Sequence, residues 1–286
     1  MRVRTTAEVR LVANDLRRDI IRMLEASSSG HPGGSLSAAD IMAELWFGGG
    51  MDFDPSNPGD RTHDRFLLSK GHAAPALYAA FYELGWLGEE DVMSLRQLGS
   101  RCQGHPDNKV CPGVEACAGS LGQGLSIASG LALGLKADDS PRRVYVLCGD
   151  GEMQEGSNWE ALMFAAHHGL DNLTMLLDFN DLQIDGHVTD VCSLGDIEAK
   201  LGAFGWSVQT IDGHDVGAVH LALERAKDAA GRPHAIVCKT VKGKGVSFME
   251  GQAGWHGKAP SHVEAAAALS ELEAERARLD QEVCDD

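Results

Sequence analysis

The chain has 286 residues, 43% of them hydrophobic, and a formal net charge of −17. That charge argues against a nucleic-acid partner, because phosphate backbones require a positive surface. No apolar run approaches the ~20 residues of a membrane span, and the N-terminus lacks a signal-peptide apolar core, so no membrane association is expected.

Seven cysteines (Cys102, Cys111, Cys117, Cys148, Cys192, Cys238 and Cys284) form no CxxC pair. A disulfide framework or structural zinc site is therefore not expected, and a reducing cytoplasm fits best. The length suits one large α/β domain or two small ones. With 34 glycines, nine prolines and no low-complexity tract, the composition points to many tight turns rather than disorder.

In chain order, Thr5-x-x-Glu8 is a capping box opening a helix with Val9, Val12, Leu16, Ile20 and Leu24 along one stripe. A glycine-rich loop, Ser29-Gly30-His31-Pro32-Gly33-Gly34, follows, and Ser37 is the expected N-cap of a helix running to about Phe47. Asp52–Asp64 is a polar loop, and Phe66-Leu67-Leu68 is a short strand ending at Ser69-Lys70-Gly71-His72. Helices are predicted over about 74–84 and 89–98, closed by Gly85 and Gly99, before an irregular stretch from Cys102 to Gly119. The segment Gly119-Ser120-Leu121-Gly122-Gln123-Gly124 opens a small-residue helix able to pack closely on a neighbour. Beyond 190, helices at Asp196–Phe204 and Val216–Ala229 alternate with strands at Ser207–Ile211 and Ala235–Cys238. From His262 a long Ala/Glu/Leu-rich helix runs to the end, either solvated or a docking arm. This alternation predicts an α/β fold with a central, mostly parallel sheet flanked by helices on both faces.

Chemistry concentrates between Val144 and Gly186. Val144–Cys148 is a buried-strand pattern that includes the core candidate Cys148, and it runs into Gly149-Asp150-Gly151. A helix-like segment and a second apolar run, Leu173–Leu177, then close on Asp178-Phe179-Asn180. Asp150 and Asn180 would thus stand at the ends of two adjacent strands, on the carboxyl edge where open α/β sheets bind ligands. Hard cations favour such oxygen ligands, and glycines beside Asp150 admit a diphosphate close to the backbone. Taken alone, Gly149-Asp150-Gly151 reads first as an ordinary strand–turn–helix with an acidic N-cap, and Gln154-Glu155-Gly156, Glu160 and Asn180 at their offsets reverse that preference. Four histidines, His31, His72, His105 and His256, each adjoin Gly, Ala or Pro in loops, where neutral imidazoles can bind oxyanions, donate to hydroxyls and move protons. Lys242, in Thr240-Val241-Lys242-Gly243-Lys244-Gly245, adds a cation suited to phosphate.

The run Gly149-Asp150-Gly151-Glu152-Met153-Gln154-Glu155-Gly156, with Asn180 and Ile184-Asp185-Gly186 downstream, resembles the thiamine-diphosphate fingerprint in its transketolase form. The histidine loops, Leu68–Ala73, Pro112–Glu115, Leu121–Gly124 and the Lys242 loop resemble further motifs of that family, from about Leu11 to Pro260. The resemblance implies a thiamine-diphosphate-binding fold, with a diphosphate-binding domain over 1–260 and a helical tail over 261–286. Asp150, Asn180 and the Leu182 carbonyl would hold Mg²⁺, or Ca²⁺ or Mn²⁺ in its place, against the diphosphate.

Residue by residue, His72, Gly149, Asp150, Gly151, Asn180, Lys242 and His256 would bind the cofactor. Gly119 and Leu121 would meet its pyrimidine end. Glu155, and Glu160 beside it, match acidic residues linking paired cofactor sites. His31 and His105 would grip the donor ketose, while His72 and His256 would serve the diphosphate and the developing alkoxide.

The activating glutamate of this family resides in a second, pyrimidine-binding domain. A separate subunit carrying that domain is therefore expected as partner, in an α2β2 assembly acting on sugar phosphates. The implied reaction moves a two-carbon ketol unit from a ketose to an aldose. An α-type subunit of a 2-oxoacid dehydrogenase shares the Gly149–Asn180 region but does not call for the sugar-binding histidines. The other readings are a decarboxylating sugar-phosphate synthase and a non-catalytic regulatory subunit.

Overall fold

The computed structural model describes residues 2–228 and 230–285. In chain order, α1 (Thr6–Ser27), α2 (Pro32–Ser37) and α3 (Ala39–Phe47) lead to β1 (Arg65–Leu68), α4 (Ala74–Glu83) and α5 (Glu89–Met93). Next come α6 (Gly124–Ala137), β2 (Val144–Gly149), α7 (Gly156–His167) and β3 (Leu173–Phe179), then a two-stranded ribbon of β4 (Leu182–Gln183) and β5 (Gly186–His187). The rest is α8 (Val188–Cys192), α9 (Ile197–Ala203), β6 (Ser207–Asp212), α10 (Val216–Asp228), β7 (His234–Lys239) and α11 (His262–Asp285). Ala229, expected to end α10, and Asp286, at the end of the tail, lie outside the described residues.

Among the described residues, five strands form one parallel sheet in the order β1-β2-β3-β7-β6. Side chains alternate faces along each strand, and the two faces feed separate cores. Tyr145, Leu147, Leu176 and Ile236 pack with the stripe of α1 and with α3, α4 and α10. Val144, Val146, Cys148, Met175 and Val237 pack against α6, α7 and α9. The pairing Gly149↔Asp178 sets the ends of β2 and β3 side by side. Asp150 and Asn180 therefore leave the sheet on one edge, as the sequence implied. All seven cysteines are free, and among the described residues no helix is long and apolar enough to cross a membrane.

Three local expectations are corrected. Ser37 ends α2 and caps nothing: its hydroxyl donates to Asp178 at 2.6 Å, and the chain restarts as α3 through Ala38. The helix expected over 89–98 stops at Met93, because Arg96 adopts a left-handed φ of 64° that a helix cannot contain. The small-residue helix begins only at Gly124, since Gly122 sits at φ 81°, where a Cβ would stand 2.6 Å from that of Glu155. The ribbon β4–β5 was not anticipated from the sequence.

The α11 helix docks. Ala265, Ala268, Leu272 and Leu279 are buried, and the first three belong to the α1 core. Arg18–Glu273 and Arg10–Glu282 ion pairs lie alongside. Burial dominates this contact, because exposed ion pairs contribute little. Leu272→Ala is expected to lower unfolding stability by about 2–4 kcal/mol, and Glu273→Ala by no more than about 0.5 kcal/mol, both read from urea denaturation of the full chain.

Candidate functional site

The carboxyl edge of the sheet opens into a cavity of about 450 Å³. Its lining includes His31, His72, His105, Gly119, Leu121, Gly149, Asp150, Gly151, Glu155, Asn180, Leu182, Lys242 and His256. Glu160 apart, every residue singled out from the sequence for binding or chemistry thus reaches one space. Glu160 lies on the exposed face of α7 and does not line the cavity.

Asp150 follows β2 directly. One carboxylate oxygen accepts from Gly151 N–H at 2.7 Å and the other from Asp181 N–H. Asp181 holds a left-handed φ of 56°, a conformation aspartate tolerates through local hydrogen bonds, and its own carboxylate accepts from the Thr189 N–H and hydroxyl. Burial, and then the nearby charge of Asp178, push Asp150 up to about 6. The Asn180 side-chain oxygen accepts from Leu182 N–H at 3.2 Å, and the Leu182 carbonyl accepts from the Lys242 ammonium at 2.9 Å.

A cation, the lysine's own, therefore already sits on the carbonyl assigned to a metal. Burial, then the charge of Lys70, bring Lys242 down to about 8. Among the described residues no three His, Cys, Asp or Glu side chains gather to hold a metal. A metal here would need the mixed set of carboxylate, amide oxygen and carbonyl. That set suits a hard cation, and a carboxylate held up by burial is the group such a charge would relieve. The residues fit the ion.

On the far wall three imidazoles pack together. The ring centroids of His31 and His72 are 5.2 Å apart, His31 and His256 5.6 Å, and His72 and His256 5.1 Å in a stacked pair. Burial keeps all three neutral at physiological pH. His256 falls to about 3, with Lys242 as the next cause, and His31 to about 4, with Arg96 next. His72 lies well below its usual value, with Lys70 next. His105, more exposed, is lowered by burial and then by Arg96. The His256 Nδ1 is buried without a hydrogen-bond partner.

Beneath these groups lies a network that sequence reasoning missed. The Lys70 ammonium donates to the Asp178 carboxylate and, at 2.8 Å, to the Gly34 carbonyl, while the Ser37 and Thr240 hydroxyls also donate to Asp178. The ion-paired side chains of Lys70 and Asp178 are 1% and 0% exposed. Burial works to raise Asp178, and Lys70 overcomes it, so the carboxylate is held below its usual range.

Glu152 is a second buried staple, accepting from Ser69 Oγ, from Gly122 N–H at 2.9 Å and from Gly149 N–H at 3.0 Å. His214 is a third: Asp40, itself paired with Arg17, contacts its Nδ1 at 2.7 Å, and its Nε2 accepts from Val241 N–H at 2.8 Å, fixing the Lys242 loop. The available signal for Asp178 was a charged residue in an otherwise apolar strand. Glu152 and Lys70 lay inside motifs whose other members drew attention.

A parallel α/β sheet whose carboxyl edge gathers hard oxygen ligands, a lysine and neutral imidazoles defines a cofactor-binding domain for an anionic ligand. The family described as "Transketolase, thiamine diphosphate binding domain" matches residues 8–283. The chain is 42% identical over 265 residues to 6-deoxy-6-sulfo-D-fructose transketolase subunit SqwG of Clostridium sp., covering 93% of this chain and 96% of that one. It is 39% identical over 270 residues to an apulose-4-phosphate transketolase subunit of Actinobacillus succinogenes, covering 94% and 97%. Transketolase from Campylobacter jejuni superposes with a TM-score of 0.83 at 31% identity, covering 98% of this chain and 48% of the solved one. The chain belongs to the transketolase family, as its thiamine-diphosphate-binding domain. It spans about half the length of that solved transketolase. These matches favour the transketolase reading over a 2-oxoacid dehydrogenase subunit.

Two outcomes follow from the electrostatics. Lys70→Met leaves Asp178 buried and unpaired, and urea unfolding should show a loss of about 3–5 kcal/mol; Lys70→Met with Asp178→Leu should be less destabilised than the single variant. Asp150 has a folded-state pKa above its unfolded value, so its charge weakens the ligand-free fold as pH rises through about 6. The stability of Asp150→Asn relative to wild type should therefore shift in the variant's favour by about 1–3 kcal/mol as pH rises from about 4 to 7, on top of a constant loss because an amide NH2 cannot accept one of the two backbone N–H bonds. A thermal shift of wild type on adding thiamine diphosphate with Mg²⁺, lost in the same variant, is the expected outcome if Asp150 holds the ion.

Proposed function

We propose that this chain is the diphosphate-binding subunit of a two-chain transketolase, moving a two-carbon ketol unit from a ketose donor to an aldose acceptor. The observation that carries the reading is the single cavity joining the Asp150–Asn180–Leu182 oxygen set to four imidazoles. Two relatives named as transketolase subunits, each matched over nearly its whole length, support the two-chain arrangement. The partner would carry the pyrimidine-binding half, in an α2β2 assembly, since closed two-fold symmetry is the common solution. Seven unpaired cysteines support a reducing cytoplasm.

Asp150, Asn180 and the Leu182 carbonyl would hold Mg²⁺, with Ca²⁺ or Mn²⁺ able to stand in, and Lys242 and His72 would meet the diphosphate. Gly119 and Leu121 would abut the pyrimidine end, and Glu155 would serve the link between paired sites. Thiamine diphosphate, when bound, supplies the nucleophilic carbon that carries the two-carbon unit.

The protein's share is placement and proton handling. Lys242 would release the Leu182 carbonyl to the metal and turn its charge to a phosphate oxygen. Neutral His72 and His256 can each take or give a proton at an oxygen near the reacting centre. His31 and His105, on the opposite loops, can donate to donor hydroxyls and set the sugar's orientation. Names of two relatives point to a donor with an anionic end, such as 6-deoxy-6-sulfo-D-fructose or apulose 4-phosphate.

The test is reconstitution. The purified chain, with thiamine diphosphate and Mg²⁺, should give no ketol transfer from phosphorylated, sulfonated or branched ketoses. Adding a subunit with the pyrimidine-binding domain should raise turnover from background by at least about a thousandfold. Transfer by the chain alone, or none from the pair with any donor of the panel, overturns the reading, the latter in favour of a non-catalytic subunit.

A further inference from the structure

The two histidines assigned to the donor sugar sit on separate loops, and one side chain between them belongs to neither. Arg96 follows α5 in a turn fixed by buried Leu95, and its N–H donates to the Cys102 carbonyl at 2.9 Å. Its left-handed backbone is a strained conformation that the surrounding packing must enforce. Its guanidinium donates from Nη1 to Ser29 Oγ at 3.1 Å and lies with Nη2 3.3 Å from His31 Nδ1. It also abuts the glycines that precede the two histidines. A Cβ at Gly104 would stand 3.3 Å from Arg96 Nε, and one at Gly30 would stand 3.7 Å from it. One planar cation thus bridges the Gly30-His31 and Gly104-His105 loops.

A guanidinium can only donate. His31 Nδ1 must therefore accept, and the ring proton must reside on Nε2. We propose that Arg96 is a positioning residue that fixes the His31 tautomer with Nε2–H as donor and clamps the His31 and His105 loops at the spacing the donor ketose requires. The sugar-binding part rests on the function proposed above; the tautomer and the clamp do not. His31 also faces His72, His256, His105 and Lys242. None of these is hydrogen-bonded to His31 Nδ1, so Arg96 alone sets which nitrogen carries the proton.

Long-range ¹H–¹⁵N spectra of the full chain, with His31 assigned through His31→Gln, read the tautomer directly. Wild type should show a neutral ring protonated on Nε2 alone at pH 7. Arg96→Met should show a mixture of both tautomers, and Arg96→Lys should keep the wild-type form. In the reconstituted pair, with D-xylulose 5-phosphate or the panel donor that wild type turns over fastest, Arg96→Met should raise donor KM about tenfold. Its kcat should stay within about threefold of wild type, and its affinity for thiamine diphosphate with Mg²⁺ should not change. Arg96→Lys should recover most of the KM. An unchanged tautomer or unchanged KM in Arg96→Met overturns the proposal, as does a parallel loss of cofactor affinity, which would mark a general collapse. Should the wild-type pair transfer nothing, the proposed function fails, and the spectra alone then decide for or against Arg96.

Discussion

The site stands on one buried ion pair. Lys70 and Asp178 lie beneath the cavity, shut off from solvent. Taking two charges out of water is costly, and their attraction repays the cost only when the remaining hydrogen-bonding capacity is filled. Here three further groups bond the pair: the Gly34 carbonyl and Ser37 hydroxyl of α2, and the Thr240 hydroxyl after β7. The pair therefore fixes where those segments leave the sheet. Its charges also spread upward. Asp178 helps raise Asp150, and Lys70 helps lower His72 and Lys242. Protonation of the upper site is set first by burial and then by what lies below it.

The other two staples act on the two sides of the cavity. Glu152 draws the Gly122 turn, Ser69 and Gly149 onto one carboxylate, so the loops beside Gly119 and Asp150 cannot drift apart. On the other side, the chain Arg17–Asp40–His214 reaches the Val241 amide and steadies the loop from which Lys242 projects. Close approach completes that side. A Cβ at Gly33 would stand 2.8 Å from Lys242 Cγ, so the first histidine loop and the lysine loop touch only because Gly33 has no side chain.

Much of this was legible in the sequence. Strands β2 and β3 announced themselves because each pairs a short apolar run with a glycine or acidic stop, and motif residues such as Asp150, Asn180 and His72 carried their chemistry openly. Element ends were less legible, since tertiary contacts set them. Ser37 looks like a cap until a carboxylate 141 residues away takes its hydroxyl, and nothing local announces that Arg96 will turn left-handed. Lys70, Asp178 and His214 were missed for the same reason. Lys70 and Asp178 are 108 residues apart, and His214 and Asp40 174, so neither partner marks the other in a linear reading.

The cavity's cations also stand in contrast to the molecule around them. A chain of net charge −17 surrounds a pocket in which the Lys242 ammonium stands among uncharged imidazoles, while Lys70 is already paired with Asp178. An anionic ligand must cross a repulsive outer field before it meets the inner field of the Lys242 ammonium. The outer field acts through solvent and is screened beyond a Debye length, about 8 Å at physiological ionic strength, whereas the buried inner one is screened much less. Moderate salt therefore eases arrival more than it weakens retention, the reverse of a surface that steers its ligand from afar.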